Sequence, residues 1–114
     1  MTTATARMTE AEWQKQVTDL AELYGWVWAH FRPAKTSRGW RTPVAGPGGA
    51  GFPDLVMWRD RLILVELKRD GGRQTEAQRW VERTMLAAGA EFYVFRPGLF
   101  DVVHDVLRER RRAA

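Results

Sequence analysis

Hydrophobic and polar positions divide the chain into helical and strand segments. After a loose polar leader over residues 1–8, apolar residues recur every three or four positions over 9–24, the period of an amphipathic helix. The same period returns over 75–88 and again after residue 98. Between these segments lie short, nearly continuous apolar runs, which are typical of buried strands. The pattern predicts one α/β domain over 9–114, in the order helix, three strands, helix, strand, helix, with helices covering both faces of the sheet.

Two of the predicted helices carry clear start and stop signals. Thr9 with Glu12, and Thr75 with Gln78, have the spacing of a capping box. Gly25 and Gly89 follow the last periodic residues and are expected to end these helices. The apolar stripe of the first helix consists of Trp13, Val17, Leu20, Ala21 and Tyr24. The second helix is predicted to bury Trp80, Val81, Thr84, Met85 and Ala88, and the third carries Leu99, Val102, Val103, Val106 and Leu107 on one face.

Strands are predicted at 26–31, at 55–58, from 62 onward and at 91–95. A long, Gly/Pro-rich connection over 32–51 separates the first two of these strands and is predicted to be irregular. Basic residues around an aromatic side chain suit contacts to phosphate and stacking on a base, although a solvated loop is the alternative. The residues predicted to contact DNA are Arg32, Lys35, Arg38, Trp40 and Arg41 in this connection, and Arg73 further along the chain.

Charged residues interrupt the apolar strands at 51–68. Asp54 precedes one strand, while Glu66 and Lys68 end the next and share one face of it. If the intervening turn is three residues long, Asp54 falls opposite Glu66. Two carboxylates about 4 Å apart repel by roughly 4 kcal/mol at an effective dielectric near 20, and Lys68 can offset only one of them. The pattern therefore predicts a divalent-cation site, with Mg²⁺ as the expected ion; a salt-bridged strand end is the structural alternative.

Lys68 is unusual in a chain that otherwise uses arginine. The 18 basic residues include only Lys15, Lys35 and Lys68 as lysines. A compact ammonium can hold a water molecule or a phosphate oxygen where a wide guanidinium does not fit. This choice favours a chemical role for Lys68.

In order, Gly51-Phe52-Pro53-Asp54, Glu66-Leu67-Lys68 and Gln78 resemble the motif of the PD-(D/E)xK nucleases. Over about residues 9–97 the chain is similar to their virus-type replication-repair nuclease (VRR-NUC) domain. The resemblance implies a restriction-endonuclease-like αβββαβ core with a mixed central sheet, to which this chain adds a C-terminal helix.

The resemblance also implies roles for individual residues. Asp54, Glu66 and the main-chain carbonyl of Leu67 would bind the metal, together with an acid on the first helix. Glu12 is the preferred choice for that acid and Glu10 the second, although Glu12 also suits the capping box. The catalytic set would be Asp54, Glu66, Lys68 and Gln78, with His30 a further candidate near the phosphate.

Composition and charge limit the possible partners and location of the protein. The chain has 114 residues, a net charge of +4 and no cysteine, which excludes disulfides and thiolate metal sites. The basic charge favours a polyanionic partner, unless it only reflects a coding bias. No apolar run approaches the ~20 residues of a membrane span, and a cytoplasmic location in a bacterial or phage-infected cell is expected.

Together these features predict a Mg²⁺-dependent DNA endonuclease of phage or prophage type, with Mn²⁺ as a substitute ion and flaps or four-way junctions as substrates. The alternatives are a catalytically weak DNA-binding module of the same fold and a small metal-independent ribonuclease. The apolar face of the last helix must be covered by the chain's own sheet or by a second copy, and a homodimer is predicted.

Overall fold

The fold is described by a computed structural model over residues 8–31, 34–37, 39–41 and 44–111. The leader, apart from Met8, lies outside the described residues. The elements in chain order are α1 (Glu10–Leu23), β1 (Val27–His30), β2 (Ala34–Thr36), β3 (Gly39–Arg41), β4 (Leu55–Trp58), β5 (Leu62–Leu67), α2 (Glu76–Ala87), β6 (Phe92–Phe95), a short 3₁₀ turn (Pro97–Leu99) and α3 (Phe100–Arg108).

β1, β4, β5 and β6 form a four-stranded mixed sheet in that spatial order. β4 is antiparallel to both β1 and β5, whereas β5 and β6 are parallel. Trp58 pairs with Leu62, so the turn between β4 and β5 has the three-residue length that the strand pattern required. The chain is thus an α/β domain with a mixed sheet flanked by helices, as predicted.

β2 and β3 form a separate two-stranded antiparallel hairpin. The prediction of an irregular connection over 32–51 was therefore wrong for this part. A glycine explains the turn, because Gly39 adopts a φ of +94°, a backbone conformation that other residues rarely adopt. Lys35, Trp40 and Arg41, which were predicted to lie in an irregular connection, thus lie on short strands.

One face of the sheet holds the main core. Side chains at alternate positions of β4 and β5 point toward α1 and α3, as the two-residue period of a strand requires. Trp13 is completely buried there, and its indole N–H donates to the carbonyl of Phe95 at 2.9 Å. The buried residues of this core are Trp13, Val17, Leu20, Ala21, Trp26, Leu55, Met57, Ile63, Val65, Leu67, Phe95, Val103 and Leu107.

α2 buries less of its apolar face than predicted. It packs against β6, and only Val81 of the five predicted residues is buried. Trp80 is 43% exposed, Met85 is partly buried, and Thr84 and Ala88 are exposed. The prediction failed because helical periodicity identifies an apolar stripe but not how much of that stripe the sheet covers.

Part of the apolar face of α3 is buried against the core of the same chain. Val103 and Leu107 are buried in the main core and Val106 is partly buried, whereas Leu99 and Val102 are each 51% exposed. Of the two alternatives for covering this face, the chain's own core accounts for Val103, Val106 and Leu107 but not for Leu99 and Val102.

The turn between β4 and β5 anchors the end of α3. The guanidinium carbons of Arg59 and Arg61 lie 4.6 and 5.1 Å from the ring centroid of Trp26. The last main-chain carbonyls of a helix have no N–H donor within the helix. The guanidinium groups of these two arginines supply the missing donors. Near the end of α3, the carbonyls of Val106, Leu107 and Glu109 accept from Arg59 or Arg61, and Arg59 also donates to the carbonyl of Tyr24 at the end of α1. These turn cations therefore have a structural role.

Candidate active site

Glu66 is a fully buried carboxylate near the end of β5. Its side chain is 0% exposed, and neither carboxylate oxygen has a hydrogen-bond partner among the described residues. Burial raises the pKa of Glu66, with smaller upward contributions from Asp54 and Glu82. The side chains of Gln74 and Lys68 oppose this increase. A buried charge of this kind is normally paired or bound to a metal.

Asp54 lies beside Glu66, as the predicted turn length requires. Leu55 pairs with Val65, so the next positions along the two antiparallel strands bring Asp54 next to Glu66. One Asp54 oxygen, Oδ2, accepts a hydrogen bond from the main-chain N–H of Leu67 at 2.7 Å. This bond fixes the Asp54 carboxylate at the end of β5, next to the main chain of Leu67.

Lys68 is held by its backbone. Its N–H donates to the carbonyl of Phe95 at 3.1 Å, which continues the pairing of β5 with β6. Its ammonium forms no hydrogen bond or ion pair with the described residues, although its charge lowers the pKa of Glu66. The ammonium is therefore near the carboxylates and available to a ligand.

The structure separates the two candidate acids of α1. Glu12 is exposed and closes the capping box, with the N–H of Thr9 donating to its Oε2 at 3.4 Å. Glu10 instead lines a groove that Asp54 also lines, whereas Glu12 does not. Within the described part of the chain, no group of three or more His, Cys, Asp or Glu residues is placed to hold a metal. Glu10, the second choice, is therefore the candidate acid of α1 that shares a groove with Asp54.

This groove, of about 790 Å³, runs between α1 and β1. Asp54 and Leu67 lie on its wall together with Gln14 and His30. The Gln14 amide donates to His30 Nδ1 at 3.2 Å. Gln14 of α1 thus helps to hold His30 of β1, which lines the same groove as Asp54.

Gln78 has a structural task in the first turn of α2. Its Oε1 accepts from the N–H of Thr75 at 2.8 Å, and its own N–H donates to Thr75 Oγ1 at 3.1 Å. Its Nε2 makes no hydrogen bond to a described residue. The predicted capping box is confirmed, and the amide nitrogen stays available to a ligand.

Gly51 joins this helix turn to the Asp54 segment. A Cβ on Gly51 would lie 2.2 Å from the carbonyl oxygen of Ala77 and 2.8 Å from the nitrogen of Gln78. Only glycine permits this approach of two backbones. The first turn of α2 and the segment that carries Asp54 are therefore packed directly together.

The turn between β5 and α2 is also fixed by tertiary contacts. Arg96 donates through its guanidinium to the carbonyls of Arg69 and Gly72, at 3.0 and 2.6 Å. Asp70 accepts from the N–H of Gly98 at 2.9 Å. Together these bonds hold the segment that leads from Lys68 into α2.

Two residues at the site were not predicted. Gln74 donates through its amide to Glu82 Oε1 at 3.1 Å, and both side chains influence the pKa of Glu66. One signal was present in the sequence, because Glu82 lies one helical turn after Gln78 and next to the buried Val81. The position of Gln74 depends on the tertiary fold and had no local signal.

Most of the predicted DNA contacts lie outside the described side chains. Arg32 and Arg38 are outside the described residues altogether. Lys35 and Trp40 are register partners in the β2–β3 hairpin, which also contains Arg41, and only their backbone is described. Arg73 is exposed on the turn before α2. Contact of these residues with DNA stays a prediction.

Comparison of the chain with protein-family models and with curated proteins gave no match. None of the helices in the described ranges is long and apolar enough to cross a membrane.

Proposed function

We propose that this protein is a Mg²⁺-dependent endonuclease that hydrolyses DNA phosphodiester bonds, built on a restriction-endonuclease-like core. The observation that carries the proposal is the buried Glu66 carboxylate, which has no hydrogen-bond partner among the described residues and lies next to Asp54. A fold seldom buries an acid in this way without a ligand for it. The order of helices and strands agrees with the αβββαβ core, with the β2–β3 hairpin inserted and α3 added.

The residues present fit a divalent cation. Mg²⁺ is commonly held by one or two carboxylates together with waters and substrate phosphates, so three protein acids are not required. Asp54 and Glu66 would supply the carboxylates, and the main-chain carbonyl of Leu67 a third oxygen. Glu10 replaces Glu12 as the proposed acid on α1, because Glu10 lines the same groove as Asp54. The chemistry that Mg²⁺ supplies when bound is the activation of water and the neutralisation of phosphate charge.

The remaining groups would act on water and phosphate directly. The Lys68 ammonium would donate to the attacking water or to a non-bridging phosphate oxygen, and its charge would stabilise the developing negative charge. The Gln78 amide nitrogen would donate to a phosphate oxygen while its Oε1 keeps the capping bond. His30 would lie near the same phosphate, on the groove wall.

We propose branched DNA, such as a flap or a four-way junction, as the substrate. The basic and aromatic residues of the β2–β3 region, together with Arg73, would contact its backbone and bases. The activity belongs in the cytoplasm of a bacterial or phage-infected cell, where such DNA arises.

The proposal is tested by a cleavage panel of duplex, single-stranded, flap and junction DNA in Mg²⁺, Mn²⁺ or EDTA. We expect cleavage of a branched substrate that EDTA abolishes and that Glu66→Ala removes. Asp105→Asn, which changes an exposed acid on α3, is the matched control and should cut like the parent. Cleavage of RNA that persists in EDTA would instead identify a metal-independent ribonuclease. DNA binding without cleavage in any metal would identify a binding module.

A two-fold homodimer is also part of the proposal, since symmetric cleavage of a junction needs two active sites. Leu99 in the 3₁₀ turn and Val102 on α3 supply an exposed apolar surface. A second is the row of Val27, Trp58 and Leu62, which are register partners across three strands. Light scattering with and without a junction tests the dimer. Comparing Val102→Asp with Trp58→Asp identifies the surface, and a monomer under both conditions contradicts the proposal.

A further inference from the structure

Trp28 of β1 lines the same groove as Asp54. The N–H of Phe31 donates to the carbonyl of Asp54, so Trp28 lies three residues along the strand from the position next to Asp54. At about 3.3 Å per residue, the two positions are roughly 10 Å apart. Stacked nucleotides rise about 3.4 Å each, so this distance is the length of about three of them. A DNA strand with a phosphate at Asp54 can therefore bring a nearby base to Trp28.

The Trp28 ring is held in place on the wall of the groove. It packs against the main core but is only partly buried. Its indole N–H donates to Glu22 Oε1 at 3.0 Å, which ties the ring to the last turn of α1. An indole has no second hydrogen-bonding group, so what the ring still offers to a ligand is its aromatic surface. A ring fixed in this way can stack on a base without first being ordered.

The charges along the groove favour a base over a phosphate at this end. From α1, the groove is lined by the acids Glu10, Asp19 and Glu22 and by Lys15, which is paired with Asp19 at 2.9 Å. A wall with this excess of carboxylates repels a DNA backbone wherever no metal ion is bound. Carboxylate oxygens instead accept hydrogen bonds from amino groups of bases, as they do from N4 of cytosine. The groove near Trp28 therefore suits a base whose sugar and phosphate lie on the solvent side.

We propose that Trp28 is a stacking platform for an unpaired base close to the phosphate that is cleaved. This inference rests on the proposed nuclease function and narrows its substrate to the single-stranded part of a branched DNA, such as a flap. A base inside a duplex is stacked between its neighbours and paired, so it must leave the helix before it can enter a groove. Stacking on Trp28 would distinguish unpaired from paired DNA with only a modest preference among the bases.

The test combines a protein variant with an abasic substrate in single-turnover cleavage at subsaturating protein in Mg²⁺. The substrates are a flap with an intact single-stranded arm and the same flap with one abasic site, placed in turn at each nucleotide near the cut. For the parent, the abasic site at the stacked position should slow cleavage about 5- to 150-fold, the loss of one base–aromatic stack. Trp28→Leu should slow cleavage of the intact flap by a similar factor and should not respond further to the abasic site.

The matched control is Trp80→Leu, because Trp80 is an exposed tryptophan on α2 that lies outside the groove. This variant should keep both the parent's rate and the parent's response to the abasic site. A second measurement requires no variant. With Ca²⁺ in place of Mg²⁺, a flap that carries 5-iodouracil at the stacked position should crosslink to Trp28 on irradiation, and mass spectrometry of the digested complex identifies the residue.

The possible results separate this inference from the proposed function. If the abasic site slows Trp28→Leu as much as the parent, the base does not contact Trp28 and the inference is overturned. A crosslink to residues outside the groove overturns it as well, even if Trp28→Leu does not fold. Equal cleavage of paired duplex and flap would overturn the preference for unpaired DNA and leave the nuclease function intact. Failure to cleave any DNA in Mg²⁺ or Mn²⁺ would refute the proposed function, and this inference with it.

Discussion

Replacing Gly51 with alanine tests the packing that joins Asp54 to α2. The added Cβ would lie 2.2 Å from the Ala77 oxygen, 2.4 Å from the Ala77 carbonyl carbon and 2.8 Å from the Gln78 nitrogen. All three are backbone atoms, so no side-chain rotation relieves the overlap. The loop or the first turn of α2 must move by about 1 Å to restore ordinary contact distances.

The magnitude follows from two opposing effects. Overpacking of this kind typically costs about 1–3 kcal/mol, while the loss of glycine's freedom in the unfolded chain returns about 0.4–1 kcal/mol. We expect a net loss of about 1–2 kcal/mol in the free energy of unfolding. For a chain of this size that corresponds to a fall in Tm of about 4–8 °C. Mn²⁺ affinity should fall as well, because Asp54 lies three residues further along the same segment.

The assay is urea and thermal unfolding followed by circular dichroism, with Gly48→Ala as the matched control. A Cβ on Gly48 meets nothing within 4 Å, so this variant should be as stable as the parent or slightly more stable. If Gly51→Ala is as stable as Gly48→Ala and binds Mn²⁺ equally well, the close packing of the Asp54 segment on α2 is refuted.

Three further predictions concern Lys68, Trp26 and Glu66. Lys68→Arg should lower kcat at least about tenfold with little change in DNA affinity, because the charge is kept and the shape is not; cleavage within about threefold of the parent contradicts its chemical role. Trp26→Phe removes the indole bond to the Leu107 carbonyl and should cost about 1–3 kcal/mol in urea unfolding; a loss below about 0.5 kcal/mol contradicts the role of the arginine–tryptophan contacts. The raised pKa of Glu66 means that the folded state binds its proton more tightly than the unfolded state does. The metal-free protein should therefore lose stability as the pH rises above the ordinary carboxyl range and through this raised pKa. The measurement is a series of unfolding curves at different pH values. If the stability of Glu66→Gln falls with pH as much as that of the parent, the assignment to Glu66 is contradicted.

Local chemistry was the part that the sequence made predictable. Both capping boxes are recognisable from four residues each, and both are present. The position of Asp54 beside Glu66 followed from the two-residue strand period and one turn length. These features depend on residues that are close in sequence, so they can be predicted from the sequence alone.

Features that depend on distant contacts were missed. No sequence signal assigned a role to Arg59 and Arg61, whose guanidinium groups donate to carbonyls at the end of α3, more than forty residues away in sequence. The position of Glu10 on the groove that Asp54 lines also depends on the tertiary fold. The hydrogen bond from Gln74 to Glu82 likewise forms only when the turn before α2 brings the two side chains together.

The measurement that tests the central claim most directly is thermal unfolding of the parent and Glu66→Gln at about pH 8, in chelator and in excess Mg²⁺ or Mn²⁺. Without metal, the variant should unfold at the higher temperature, because it buries no charge at this position. Metal at about 100 times its Kd should stabilise the parent by about 2.7 kcal/mol and leave the variant unchanged, so the order of the two Tm values should invert. A parent whose Tm does not respond to either ion, or a variant that gains as much as the parent, would contradict a metal site at Glu66.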